Sequence, residues 1–177
     1  MFKRLVVLIV FFSVCFSSIA QEEGFNRYKL GSGDIINITV FGQEDLTKEV
    51  RLTDVGVINY PFLGDIKAIG LTAPELEALI YNGLLGDYLI DPSVSVTIVE
   101  YRPFFIDGEI KKPGGYPYQP GLSIDKAAAL AGGYTERASK TKIQVVRNVD
   151  GLEKTLEVQS TFIVLPGDIV IIKQSFF

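Results

Sequence analysis

The amino-acid sequence predicts an α+β chain of two small modules, each made of strands around a single helix. Three observations carry this. The apolar residues after position 20 fall largely in short β-branched runs of strand length, such as Ile35-Ile36-Asn37-Ile38-Thr39-Val40. Only two stretches combine a cap with helix-compatible residues, one opening at Thr72 and the other at Ser123. Arg102-Pro103 interrupts the chain near its middle, after which strands, helix and strands begin again.

In the first half, Gln21 to Asn26 is a polar lead. Gly31-Ser32-Gly33-Asp34 then turns the chain into a strand over Ile35 to Phe41. A dinucleotide fingerprint would need a third glycine where Ile36 stands, so the Gly-x-Gly is read as turn chemistry. Glu49 to Leu52 and Val55 to Tyr60 read as short strands around Asp54, followed by the breaker Pro61 and a turn at Gly64-Asp65. Thr72, with Glu75 three residues on, forms a capping box, and Pro74 is tolerated in the first helical turn. Leu76, Leu79, Ile80 and Leu84 give that helix one apolar stripe, and Gly83 and Gly86 weaken its end. Val94 to Val99 alternates with period two, as a strand with one buried face does.

The second half repeats the pattern. Phe104-Phe105-Ile106 is a strand, Gly108 to Gly115 a glycine-proline turn region, and Tyr116-Pro117-Tyr118 a short return. Ser123 caps a helix over Ile124 to Ala131, which Gly132-Gly133 stops. Ile143 to Val149 and Thr155 to Val158 flank Asp150-Gly151 as a hairpin, and Leu165-Pro166-Gly167-Asp168 launches a last strand over Ile169 to Lys173. Gly33-Asp34-Ile35-Ile36 and Gly167-Asp168-Ile169-Val170 echo each other: glycine turns the chain, and aspartate can bond nearby backbone N–H groups before an apolar strand.

Composition narrows the chemistry. The 177 residues hold no His, no Trp and one Cys, which excludes Ser-His-Asp and Cys-His catalysis and every zinc site that needs His. A lone cysteine closes no intramolecular disulfide and builds no Cys-rich metal site. The expected cofactor and metal content is therefore none, and no catalytic residue is assigned. Carboxylate glycosidase chemistry is the enzymatic alternative, but nothing in the spacing places two acids at glycosidase separation.

The first twenty residues read as an export signal. Met1-Phe2-Lys3-Arg4 is basic, Leu5 to Phe16 is almost unbroken apolar, and Ser18-Ile19-Ala20 supplies small residues before a cleavage point. The run is shorter than the ~20 residues a membrane helix needs. Phe12-Ser13-Val14 before Cys15 is unlike a lipoprotein box, so lipidation is not expected. Cleavage after Ala20 removes Lys3, Arg4 and Cys15, taking the formal charge from −4 to −6. An acidic chain argues against nucleic acid, and a cysteine-free one suits an oxidising periplasm.

Tyr28-Lys29-Leu30-Gly31-Ser32-Gly33-Asp34, Gly70-Leu71-Thr72 and Tyr88-Leu89-Ile90-Asp91-Pro92-Ser93-Val94-Ser95-Val96 resemble the periplasmic domain of bacterial outer-membrane polysaccharide export proteins. Asp107-Gly108-Glu109-Ile110-Lys111-Lys112-Pro113-Gly114-Gly115-Tyr116, with Ala127 to Gly133 and Leu165 to Asp168, resembles the soluble-ligand-binding β-grasp (SLBB) module that follows it. The division expected is a signal peptide over 1–20, an export domain over 21–101 and an SLBB domain over 102–177. The resemblance implies a periplasmic, ring-forming homo-oligomer that lines a conduit for capsule or exopolysaccharide, associated with the outer-membrane export complex and reached through the Sec pathway. It implies an inner-membrane chain-length or co-polymerase partner. Larger exporters carry further β-grasp modules and a C-terminal membrane helix, whereas this sequence stops at Ser175-Phe176-Phe177. A separate outer-membrane pore protein, a β-barrel, is therefore expected. The alternative is a monomeric glycan-binding or regulatory module of the same pathway.

Two groups of site residues follow. Gly31, Gly33, Asp34, Gly108, Pro113, Gly114, Gly132, Gly133, Pro166, Gly167 and Asp168 are expected to set backbone geometry. Tyr116 and Tyr118, beside prolines, and Arg137, just past the second helix, are the candidate glycan contacts. Phe176-Phe177 is a candidate docking point.

Overall fold

A computed structural model describes residues 28–149 and 151–175. The expected signal peptide, Cys15, Asp150 and the Phe176-Phe177 end lie outside the described residues. Two hydrophobic cores form, one on each side of Tyr101-Arg102-Pro103.

The first core is enclosed by β1 (Ile35–Val40), β2 (Lys48–Arg51), β3 (Val57–Tyr60), β4 (Gly64–Lys67), α1 (Ala73–Leu84) and β5 (Val94–Glu100). β1 is central in an antiparallel sheet of order β2-β1-β5, while β3 and β4 form a separate hairpin. Alternation along β1 buries Ile36, Ile38 and Val40 and leaves Ile35, Asn37 and Thr39 half-covered. α1 begins with the capping box: the Thr72 hydroxyl accepts from the Glu75 amide, and the Glu75 carboxylate accepts from the Thr72 amide at 2.7 Å. These contacts satisfy donors that the first helical turn otherwise leaves open. The helix buries Leu76, Ile80 and Leu84, spaced by four, whereas Leu79 stands on the shoulder of the stripe, 42% exposed.

In this first module one element differs from the sequence expectation. Gly64-Asp65 does not turn the chain but opens β4, and the reversal comes earlier, at Pro61 to Leu63. Phe62 carries it at φ 66°, a left-handed conformation uncommon for a residue with a Cβ.

The second core lies between α2 (Ile124–Leu130) and a mixed five-stranded sheet. Its strands are β6 (Phe104–Gly108), β7 (Gly114–Tyr116), β8 (Ala138–Val149), β9 (Leu152–Val158) and β10 (Ile169–Gln174), in the order β7-β6-β10-β8-β9. β6 and β10 pair in parallel and the other neighbours pair antiparallel. The inner face presents Phe104, Ile106, Ile143, Val145, Val170 and Ile172 to Ile124, Ala127 and Ala128 of the helix. Small helix residues let the backbone of α2 come close to the sheet. The strand return is two residues earlier than Tyr116-Pro117-Tyr118, because Gly114 and Gly115 pair with Ile106 and Phe105. Pro117, which has no amide hydrogen to donate, lies beyond it.

Candidate functional site

The two Gly-Asp turns are the same device built twice. In each, the aspartate amide donates to the carbonyl three residues back: Asp34 to Gly31 at 3.2 Å and Asp168 to Leu165 at 3.1 Å. The side chain answers in the reverse sense, Asp34 Oδ2 accepting from the Gly31 amide at 2.8 Å and Asp168 Oδ2 from the Leu165 amide at 2.7 Å. The third turn residue has positive φ, 93° at Gly33 and 84° at Gly167, and in the second turn Pro166 precedes it. Each carboxylate is 0% exposed.

A buried carboxylate needs a cation and several donors to remain ionised without heavy cost. Asp168 takes them from β8: Arg147 Nε donates at 2.8 Å and its terminal nitrogen at 2.7 Å, a two-pronged pairing. Asp34 takes them from the linker. Arg102 contributes its backbone amide at 2.7 Å and one guanidinium nitrogen at 3.2 Å, and the Tyr28 hydroxyl donates at 2.8 Å. The same Arg102 nitrogen donates to the Tyr28 oxygen at 2.8 Å. Burial, followed by the Asp34 charge, pushes the Tyr28 hydroxyl well above the usual phenol range, with Arg102 opposing. It therefore stays a donor at any physiological pH.

Arg102 also lies against the other turn. A Cβ on Gly31 would fall on its guanidinium, and one on Gly167 would come within 2.8 Å of Nε. The backbone follows the same path: Gly167 N donates to Pro103 O at 3.1 Å and Phe105 N to Asp168 O at 2.8 Å. Beside it, Tyr101 meets Tyr28 edge-on at 5.0 Å between centroids and Tyr118 edge-on at 5.3 Å. One cation and three tyrosines thus join the two cores through a saturated polar cluster.

The candidate glycan residues lie apart from one another. Tyr118 is half-buried at this junction. Tyr116 is also half-buried, its ring 6.1 Å from Phe104 and its hydroxyl donating to Lys112 O at 2.7 Å. Arg137 is exposed at the start of β8, its carbonyl accepting from Ser175 N at 2.7 Å. Of the geometry residues, Gly108, Gly114, Gly132 and Gly133 all have positive φ. At Gly108 a Cβ would also strike the main-chain carbonyl of Ile172. Pro113 stands before Gly114, where the chain enters β7. Sequence reasoning missed Arg102 and Arg147. Their only local signal is that a buried Asp after each Gly requires a cation from somewhere.

Among the described residues no cluster of His, Cys, Asp and Glu fit for a metal occurs, and no helix is long and apolar enough to cross a membrane. Two family models match in order along the chain: polysaccharide biosynthesis/export protein over residues 23–99 and SLBB domain over residues 103–153. Together the two matches place the chain in the polysaccharide biosynthesis/export family, with an SLBB domain after the export domain.

Its relatives carry matching names. The exopolysaccharide production protein ExoF of Rhizobium meliloti (strain 1021) is 33% identical over 146 residues, 75% of this chain and 33% of the relative. The EPS I polysaccharide export outer membrane protein EpsA of Ralstonia nicotianae is 26% identical over 147 residues, 68% of this chain and 38% of the relative. The polysialic acid transport protein KpsD of Escherichia coli is 27% identical over 128 residues, 70% of this chain and 23% of the relative. The chain thus spans well under half the length of each of these proteins. In the terms of these families, the Arg102 cluster joins the export domain to the SLBB domain.

Proposed function

We propose that the chain is a periplasmic, ring-forming component of a capsule or exopolysaccharide export machine, lining a conduit through which polymer moves towards the outer membrane. The observation that carries this is the ordered pair of export and SLBB domains in a chain similar to proteins named for polysaccharide export and polysialic acid transport. The physical reading agrees with it. A polymer that must slide is held weakly at many points, and the buried aspartates at the junction are satisfied by the chain's own donors, which suits a scaffold and not a catalyst. The protein is in this reading no enzyme.

The Sec pathway delivers the chain, and residues 21–101 and 102–177 act as its two domains. It works between an inner-membrane co-polymerase and a separate β-barrel pore protein. Arg137, which is exposed, and the uncovered edges of Tyr116 and Tyr118 touch the polymer.

A deletion strain tests the role. Surface polysaccharide is expected to disappear while lipid-linked precursors are still made. Unchanged surface polymer would refute the reading. Light scattering on the purified chain tests the ring, and a strictly monomeric protein at all concentrations would favour a regulatory module instead.

A further inference from the structure

Among the described residues, nothing partners the outer face of the SLBB sheet. Registers across all five strands place Gly115, Phe105, Ile169, Val146 and Thr155 in one row on the side away from α2. Phe105 is 47% exposed and Ile169 39%, and Val146 between them and Thr155 is half-buried. Sheets with one solvated face ordinarily carry polar residues there. Here the centre is apolar across three strands, and glycine stands under the Phe105 ring, with a Cβ on Gly115 coming within 3.0 Å of it. The flanking groups on β6 and β9 are Asp107, Glu153 and Glu157, all exposed, while Lys142 and Lys173 come further along β8 and β10.

The opposite side of the module offers the complement. Leu130 on α2 is 49% exposed. Lys126, one turn earlier, is exposed, as is Lys112, whose amide donates to Ala131 O at 2.9 Å beside the helix end. Asp125 is engaged by the Tyr134 hydroxyl at 3.0 Å and the Ser160 hydroxyl at 2.8 Å.

We propose that the outer sheet face of one copy packs on the outer face of α2 of the next, with Phe105, Ile169 and Val146 against Leu130 and the carboxylates opposite Lys126 and Lys112. This rests on the ring reading and names the surfaces that make the ring. Because sheet and helix are the two layers of one module, their outer faces point in opposite directions. A contact between unlike faces propagates one way and closes when the rotation per copy allows. Sheet-to-sheet pairing of two copies would instead gather Asp107, Glu153 and Glu157 of both into one interface, with Lys142 and Lys173 further along as the cations on that face.

The test uses the full chain with Cys15→Ser, carrying Lys126→Cys, Thr155→Cys or both, under copper-phenanthroline oxidation. Expected is a covalent ladder beyond the dimer for the double variant and one dimer for the mixed single variants. Thr155→Cys alone should give no dimer. Self-linking of Thr155→Cys would overturn the proposal in favour of a sheet-to-sheet dimer. An oligomer by light scattering with no link in the double variant would overturn the surfaces and leave the ring intact. A persistent monomer would remove both. Phe105→Asp and, independently, the exposed Lys126→Glu should each raise the concentration needed for assembly at least about tenfold with unchanged circular dichroism. Assembly at the wild-type concentration by Lys126→Glu and by a folded Phe105→Asp would also overturn it.

Discussion

Arg147→Ala should destabilise the protein more than Arg102→Ala, although both remove the cation from a fully buried aspartate. The difference comes from what each carboxylate keeps. Asp34 loses one guanidinium contact at 3.2 Å but retains the Tyr28 hydroxyl, the Gly31 amide and the backbone amide of residue 102. Arg102 is also 28% exposed, so water can replace part of what is lost. A cost of about 1–2 kcal/mol follows from one charge-assisted hydrogen bond. Asp168 loses both prongs of Arg147, at 2.8 and 2.7 Å, and keeps the Leu165 amide. Stranding a buried charge in this way costs about 3–5 kcal/mol. Arg147→Met should lose nearly as much: its apolar stem can still cover Phe162, over which the guanidinium sits at 5.3 Å, but Asp168 is left without its cation all the same. Urea unfolding followed by circular dichroism and tyrosine fluorescence measures the gap, since the chain has no Trp. With a slope of about 1–3 kcal/mol per molar urea, a 2 kcal/mol difference separates the midpoints by roughly 1 M. If Arg102→Ala proves equal or worse, the donor-counting argument fails.

Three further outcomes are expected. Gly108→Ala, at φ 87° and facing the Ile172 carbonyl, should cost more than about 2 kcal/mol or abolish soluble expression, read by urea unfolding and yield. Thr72→Ala removes the hydroxyl half of the α1 capping box and should cost about 1 kcal/mol in the same assay. Tyr28 is held neutral in the folded chain and ionises near pH 10 when unfolded, so its contribution is complete below about pH 10 and is lost as pH rises beyond it. Melting temperature should therefore fall more steeply above about pH 10 in wild type than in Tyr28→Phe, and parallel curves would refute the assignment.

The parts of this fold legible in sequence are those whose causes are local. Thr72 and Glu75 lie three residues apart and announce the start of α1 without reference to anything else. Gly33-Asp34 and Gly167-Asp168 likewise show their turns in four residues. β4 was hidden for the converse reason. Gly64-Asp65 has turn composition, yet the Ile58–Ile66 and Tyr60–Gly64 pairs draw it into a hairpin reversed by Phe62, a residue that gives no warning of positive φ. Leu79 shows that helical spacing sets the axis of a stripe but not its edge, which depends on what packs there. The arginines that complete the buried turns come from 68 and 21 residues away, distances over which no spacing rule operates. The apolar row on the outer sheet face needs the registers of four strand pairs before it can be seen.

Arg102 touches both glycine turns, and this bears on how such proteins can be recombined. A chimera cut between Tyr101 and Arg102 respects the composition but divides the cluster, giving the Arg102 of one parent the Asp34 turn of another. Exchange of the downstream module should succeed when Tyr101 to Pro103 is inherited with the Gly31 to Asp34 turn and the incoming unit keeps a glycine where Gly167 stands. The natural seam for shuffling therefore lies after the linker arginine, and Gly167 is the residue at which an imported module is accepted or refused.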